Sequence, residues 1–385
     1  MFKKKDPNPQ LDIFTAPSMQ LGSRASKKYS DPNAWHNQFY SLVTTKIDEE
    51  IFKPLFPKGK KSGRPNASIR ILVAMSVLKE GFGCSDEDLF EKCEFDLLTR
   101  KALGMELLTD VTPSIDTYYL FRRRICEYQE RTGIDLMQLC FEQLAGKHVH
   151  LLKISGKCVR MDSKLIGSNI ARQSRYELIH TTLVKFLKTC TLTHLSPEQE
   201  ERAKEYLKED SSKTVYRSDS DTLQSNLARI GNFIMEMLAV FPATSPAHNL
   251  LQRLFDEQYV VMDGKAVLRD KKEVKADSLQ NPNDPDATYR SKNDQKVQGY
   301  VTNITETVEE GKPNIITSVQ VETAVFADCH FLQEAVENSE RVTDSTIEDL
   351  YADVPIKVQT IESLQRTTMP CSSRLARCKV DADGN

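Results

Sequence analysis

No apolar run in this sequence approaches the roughly 20 residues that a membrane-spanning helix needs, so nothing in it reads as a span. The opening Met1-Phe2-Lys3-Lys4-Lys5-Asp6 is basic but lacks the apolar stretch that a signal peptide carries behind its charges. No CxxC pair occurs, and the nine cysteines are scattered and odd in number. That argues against a zinc module and a disulfide framework, and for a reducing, cytoplasmic setting. Cys371 and Cys378 have no His or second Cys pair nearby, and His148 and His150 have no carboxylate partner in the sequence around them, so neither pair reads as a metal site. Excess charge is also missing: 52 Lys and Arg stand against 55 Asp and Glu, a net of -3. Any contact with nucleic acid must therefore come from local patches. What is present is ordinary for a globular protein, with 39% apolar and 28% charged residues over 385 positions. That excludes wholesale disorder and leaves room for two or three domains.

Residues 1–34, rich in Pro, Ser, Asn and Lys without periodicity, read as a mobile arm. From Trp35 to Glu50 apolar residues recur at helical spacing. The link from Lys53 to Arg64 and Pro65 holds three prolines, two glycines, five cations and no acid, and cannot be helical. Helices are predicted over 67–80, ended by Gly81 and Gly83, and from the capping-box-like Ser85-Asp86-Glu87-Asp88 to Leu103. Another starts near Pro113-Ser114 and carries Arg122, Arg123 and Arg124. Residues 35–150 thus form a helical domain. At Lys157 the pattern changes to a strand running to Ile166. A helical stretch over 173–259, polar in its middle, separates this strand from the later ones, and 276–294 reads as a loop. Lys296–Val308 and Asn314–Thr323 alternate and are β-branched, with Gly311-Lys312-Pro313 marking a hairpin between them. A helix over 327–340 and a short strand at 348–353 close the series. Strand, helical insertion, two paired strands, helix, strand is the order of an RNase H-like sheet, so the expected fold is mixed α+β. A helical N-terminal domain precedes an RNase H-like sheet built from 151–172 and 260–353.

Two acids end strands in this reading, Asp162 and Asp353. Phosphodiester cleavage and strand transfer use two divalent cations about 3.5–4 Å apart, and strand-end carboxylates are a natural way to hold them. A solitary Asp at a strand end also serves simply to cap a turn. Lys58, Lys60, Lys61 and Arg64, and separately Arg122, Arg123 and Arg124, suit DNA phosphates as well as they suit a solvated loop and helix face.

Phe52-Lys53-Pro54-Leu55-Phe56, Gly63-Arg64-Pro65, the run Gly83 to Leu89, and Thr117 through Phe121-Arg122-Arg123 resemble the N-terminal domain of bacterial insertion-sequence transposases. Arg160-Met161-Asp162-Ser163 with Ser168-Asn169-Ile170-Ala171 is similar to the first catalytic strand of that family. Asp277 to Arg290, Lys292 and Gly299-Tyr300 resemble its substrate-side loop and second strand, and Tyr351-Ala352-Asp353 its second catalytic strand. The resemblance spans roughly residues 36–353. It implies a DDE transposase in which Asp162 and Asp353 are catalytic and bind Mg²⁺ or Mn²⁺. It also implies terminal inverted repeats in double-stranded DNA as partner, with the helical N-terminal domain binding that DNA, a homodimer on it, and a location at the bacterial nucleoid.

The same resemblance implies a third acid, a helical glutamate beyond the second aspartate, and Glu362 lacks that setting. It thereby implies that the RNase H-like sheet is incomplete here. Where the family continues ADGAY, this chain has Ala352-Asp353-Val354-Pro355-Ile356. Back-translated from Val354 with suitable codons and read one base displaced, the stretch becomes GAYQSPDNREF, the family's own continuation. The expectation is a single-base frameshift after Asp353, with 354–385 an out-of-frame tail and the chain inactive as an enzyme. The competing readings are a non-catalytic transposase fragment that occupies element ends, and an RNase H-like nuclease.

Overall fold

The computed structural model describes residues 2, 20–56, 66–243, 245–292 and 295–352. The helical first part contains α1 (Ser23–Tyr29), α2 (Trp35–Leu42), α3 (Ile69–Phe82), α4 (Asp86–Phe95), α5 (Leu97–Leu103), α6 (Ile115–Thr132) and α7 (Leu136–Leu152). Its core gathers Phe52, Ile69, Met75, Leu89, Leu103 and Tyr118, all buried. Several expectations shift here. The segment read as an arm holds α1, whose Tyr29 is buried and whose carbonyl oxygen is 2.8 Å from His36 Nε2. Gly81 lies inside α3, and Gly83, at φ 61°, ends it. The capping box forms at Ser85, where the hydroxyl accepts from Asp88 N at 3.1 Å. The helix it starts stops at Asp96 instead of continuing to Leu103. The Asp96 carboxylate accepts Leu98 N at 3.0 Å and Thr99 Oγ1 at 2.6 Å, so it caps a new helix. His148 and His150 sit within α7, and His148 Nε2 lies 2.7 Å from the Leu42 carbonyl.

Strand β1 (Cys158–Gly167) comes next, and then the helices α8 (Arg175–Leu187), α9 (Pro197–Lys208), α10 (Ser211–Arg217), α11 (Ser220–Val240) and α12 (Pro246–Gln258). These five replace one long predicted stretch, because Ser196, Asp210, Asp219 and Ser245 each cap a fresh start. They close on their own core of Ile179, Phe186, Ile230, Phe233, Leu254 and Tyr259. A hairpin of β2 (Tyr259–Met262) and β3 (Lys265–Leu268), turning at Asp263-Gly264, ends the insertion.

His180 is buried in that insertion core, 3.1 Å from the Tyr206 carbonyl and 3.6 Å from the Glu209 carboxylate. Burial holds its pKa below the ordinary histidine value against the opposing pull of Glu209. A depressed imidazole is neutral in the fold and binds fewer protons than the unfolded chain. Its contribution is therefore complete above about pH 6.5 and is lost as pH falls below that value. We expect the melting temperature to fall between neutral pH and pH 5, and the fall to be shallower in His180→Asn. Identical pH slopes for the two proteins would refute this assignment.

The remaining strands are β4 (Thr288–Lys292), β5 (Gln295–Thr307), β6 (Ile316–Thr323) and β7 (Asp349–Ala352), with a 3₁₀ turn at Asp328–Phe331 and α13 (Leu332–Thr343) between the last two. The long β5 pairs β1 on one side, and β4 and β6 in succession on the other, all antiparallel. β7 then lies parallel to β1, giving the order β6-β5-β1-β7. β4 falls within the expected loop. Helix α13 covers one sheet face through small polar contacts, with Thr317 and Ser339 hydroxyls 2.7 Å apart and Asn338 Nδ2 donating to Ser318 Oγ at 3.0 Å.

Candidate active site

In β1 the side chains alternate. Val159 and Met161 are buried with Val301, Phe331, Leu332 and Leu350, which turns Arg160, Asp162 and Lys164 to the other, exposed face. Asp162 is thus a solvent-accessible carboxylate fixed on the strand that β5 and β7 flank. Opposite it on β5 is Ile304, and opposite Ile304 on β6 is Val319. One row away, Arg160 is ion-paired with Glu306. On the other side of β1, the last parallel pair is Met161 with Ala352. Asp353 comes directly after Ala352 in sequence and lies outside the described residues, as do Lys58, Lys60, Lys61 and Arg64. Among the described residues no group of three or more His, Cys, Asp or Glu could hold a metal ion.

The exit of β1 is tied to the 276–287 loop. Ser168 Oγ and Tyr300 Oη both donate to the Asp284 carboxylate. Burial, with that hydrogen bond second, pushes the Tyr300 phenol well above its ordinary pKa. Helix α12 holds the loop from behind, through Arg253 donating to the Pro285 carbonyl at 2.8 Å and Glu257 accepting Leu279 N at 2.7 Å. Asp284 was not singled out from sequence. Its signal there was only its place among the loop's Asn, Pro and Asp residues.

A cleft of about 220 Å³ includes Ser163, Leu165, Arg290, Gln295 and Asp328. Asp162 does not line it. Arg290 Nη1 lies 3.0 Å from the Phe326 carbonyl and 3.2 Å from Asp328, so this arginine fastens the turn after β6.

The arginine triplet is not brought to one place. Helix α6 buries Tyr118, Phe121 and Ile125, and consecutive residues on a helix diverge by about 100°. Arg122 stacks over the Tyr118 ring at 5.6 Å, and Arg123 is exposed, 3.6 Å from Glu127. Arg124 turns the opposite way, over the Phe56 ring at 5.8 Å.

Residues 28–124 match the family model of a transposase domain, DUF772. The match covers 97 of the 385 residues and supports a transposase family and a role on DNA. No curated protein and no solved structure matches the chain. Among the described residues, no helix is long and apolar enough to cross a membrane.

Proposed function

We propose that this chain is an insertion-sequence transposase of the DDE class, with residues 35–150 binding the element's terminal inverted repeats and Asp162 and Asp353 forming two of three catalytic acids. The observation that supports this reading most is the pairing of β1 with β7. Three antiparallel strands followed by a fourth that lies parallel to the first is the order of an RNase H-like sheet. Met161 and Ala352 are partners in it, and each immediately precedes one of the two aspartates in sequence. A carboxylate on a rigid central strand is a hard oxygen donor, the type that Mg²⁺ or Mn²⁺ takes. Asp162 and Asp353 would hold such an ion. When bound, it supplies charge stabilisation at the attacking and leaving oxygens of the phosphodiester. Arg160, one row from Asp162, is ion-paired with Glu306, and the Asp284 clamp ties down the exit of β1.

A second reading, DNA binding at element ends without cleavage, is favoured by the sequence after Asp353, which departs from the family pattern. Both readings place the DNA affinity in residues 1–150, with the protein acting as a homodimer. Binding to a duplex carrying the terminal repeats should weaken with salt, because neutralised phosphates release counterions. Replacing Lys58, Lys60 and Lys61 together by Ala should reduce the slope of log affinity against log salt by about 2–3. An unchanged slope would remove that run from the interface. Binding to the duplex without Mg²⁺-dependent cleavage selects the second reading.

A further inference from the structure

Between the end of the 3₁₀ turn Glu49–Leu55 and helix α6 runs a groove of about 400 Å³, lined by Pro54, Phe56, Arg124, Glu127, Tyr128 and Arg131. Arg124 and Arg131 are seven residues apart, so they share one flank of α6 and are separated by about 10 Å along its axis. Each guanidinium lies over an aromatic ring, Arg124 over Phe56 at 5.8 Å and Arg131 over Tyr128 at 5.6 Å. Such stacking orients a planar cation while leaving its N–H edge to donate. Neither has a carboxylate partner among the described residues. Glu127, the one acid in the groove, lies 3.6 Å from Arg123 on the outer side. The opposite flank differs: there the Asp86 carboxylate accepts from Tyr119, one turn from Arg123, at 2.7 Å and pairs with Lys79 at 3.0 Å.

The geometry points to the Arg124–Arg131 flank, and not to Arg122 and Arg123, as the surface on which this chain takes the phosphate backbone of duplex DNA. Two oriented guanidiniums carried by residues about 10 Å apart along the helix axis can donate to separate phosphates of a duplex, and neither is ion-paired among the described residues. This inference rests on the DNA-binding reading and identifies the side of α6 that meets the DNA.

The test measures affinity of the full chain for a short duplex of arbitrary sequence across a salt series. Arg124→Gln with Arg131→Gln should lower the log–log slope by about 2, and Arg122→Gln with Arg123→Gln should leave it unchanged. Arg124→Lys with Arg131→Lys should keep most of the slope, because the charge is retained. If the Gln pair fails to fold by circular dichroism, Arg131→Gln alone, at the exposed rim, should lower the slope by about 1. Duplex binding with an unchanged slope in the Arg124 and Arg131 variants, or with the loss confined to the Arg122 and Arg123 pair, overturns this inference alone. Binding only to a single strand overturns the duplex assignment. Absence of any DNA binding by the unsubstituted chain overturns the transposase reading and this flank together.

Discussion

Gly299→Ala is expected to destabilise the sheet by about 3 kcal/mol, the upper part of the overpacking range, whereas Gly167→Ala, directly across the β1–β5 ladder, should be close to neutral. The two glycines are register partners. A Cβ on Gly299 would stand 2.3 Å from the Ile166 carbonyl oxygen and 2.5 Å from Ser168 N, and one on Gly167 would meet nothing within 4 Å. The obstacle at Gly299 is backbone, which no rotamer change can clear. Relief requires β1 to move away and gives up the 2.9 Å bond from Ser168 N to the Gln298 carbonyl. That movement would also disturb the Asp284 clamp on Ser168 and Tyr300, which lies a few residues beyond Asp162 along the same pair of strands. At Gly167 an added methyl removes backbone freedom from the unfolded chain and costs nothing visible in the fold. Urea titrations of both variants read the difference directly. Equal midpoints would show that β1 can shift without penalty and that the close approach has no structural weight.

Much of this sheet was legible because burial imposes alternation. Val159 and Met161 inward put Asp162 outward before any neighbour is known, and the β-branched runs on either side of Gly311 announce their hairpin. β4 was hidden for the opposite reason: Thr288-Tyr289-Arg290-Ser291-Lys292 has no apolar alternation, and it is a strand because the long β5 offers it a partner. The hairpin at Asp263-Gly264 had a good turn signal, but its four-residue strands, lying just beyond the predicted helical stretch, are too short to show alternation and were assigned no element. Cap residues set the helix breaks at Asp96, Asp210 and Asp219, and an aspartate in an amphipathic stretch does not declare whether it is capping or merely exposed. The site shows the same divide. Asp162 was expected at a strand end, but β1 runs on past it to Gly167 because β5 pairs it throughout, and its position beside Ile304 depends on register between segments far apart in sequence. The side of α6 that each arginine of the triplet takes was not legible, for a geometric reason. Adjacent positions look like a cluster in a string, and a helix sends them to different sides, whereas Arg124 and Arg131 converge at a spacing of seven.

Shifting the reading frame by one base after the Asp353 codon is expected to turn a protein that does not cleave DNA into one that does. On the Asp162 face, Ile304, Val319 and Val321 are exposed, neighbours on β5 and β6 beside Asp162 on β1. A contiguous apolar surface beside an exposed carboxylate marks a surface that ordinarily meets another element. Back-translated with suitable codons and read one base displaced, the stretch after Asp353 is expected to give the continuation that the family resemblance implies, and the restored frame to run past Asn385 into a helix carrying the third acid. Two aspartates retain less negative charge than two cations require, so the chain as translated should bind terminal-repeat DNA and leave it intact in Mg²⁺. The frame-restored protein should nick that DNA. Asp162→Asn in the restored protein removes a charge but little volume. It should therefore bind DNA normally while losing several kcal/mol of transition-state stabilisation, a rate loss on the order of a thousandfold or more. Nicking assays and gel shifts on the three proteins separate these effects. Cleavage by the original chain, an early stop in the restored frame, or full activity of the restored Asp162→Asn protein would each contradict the proposed centre.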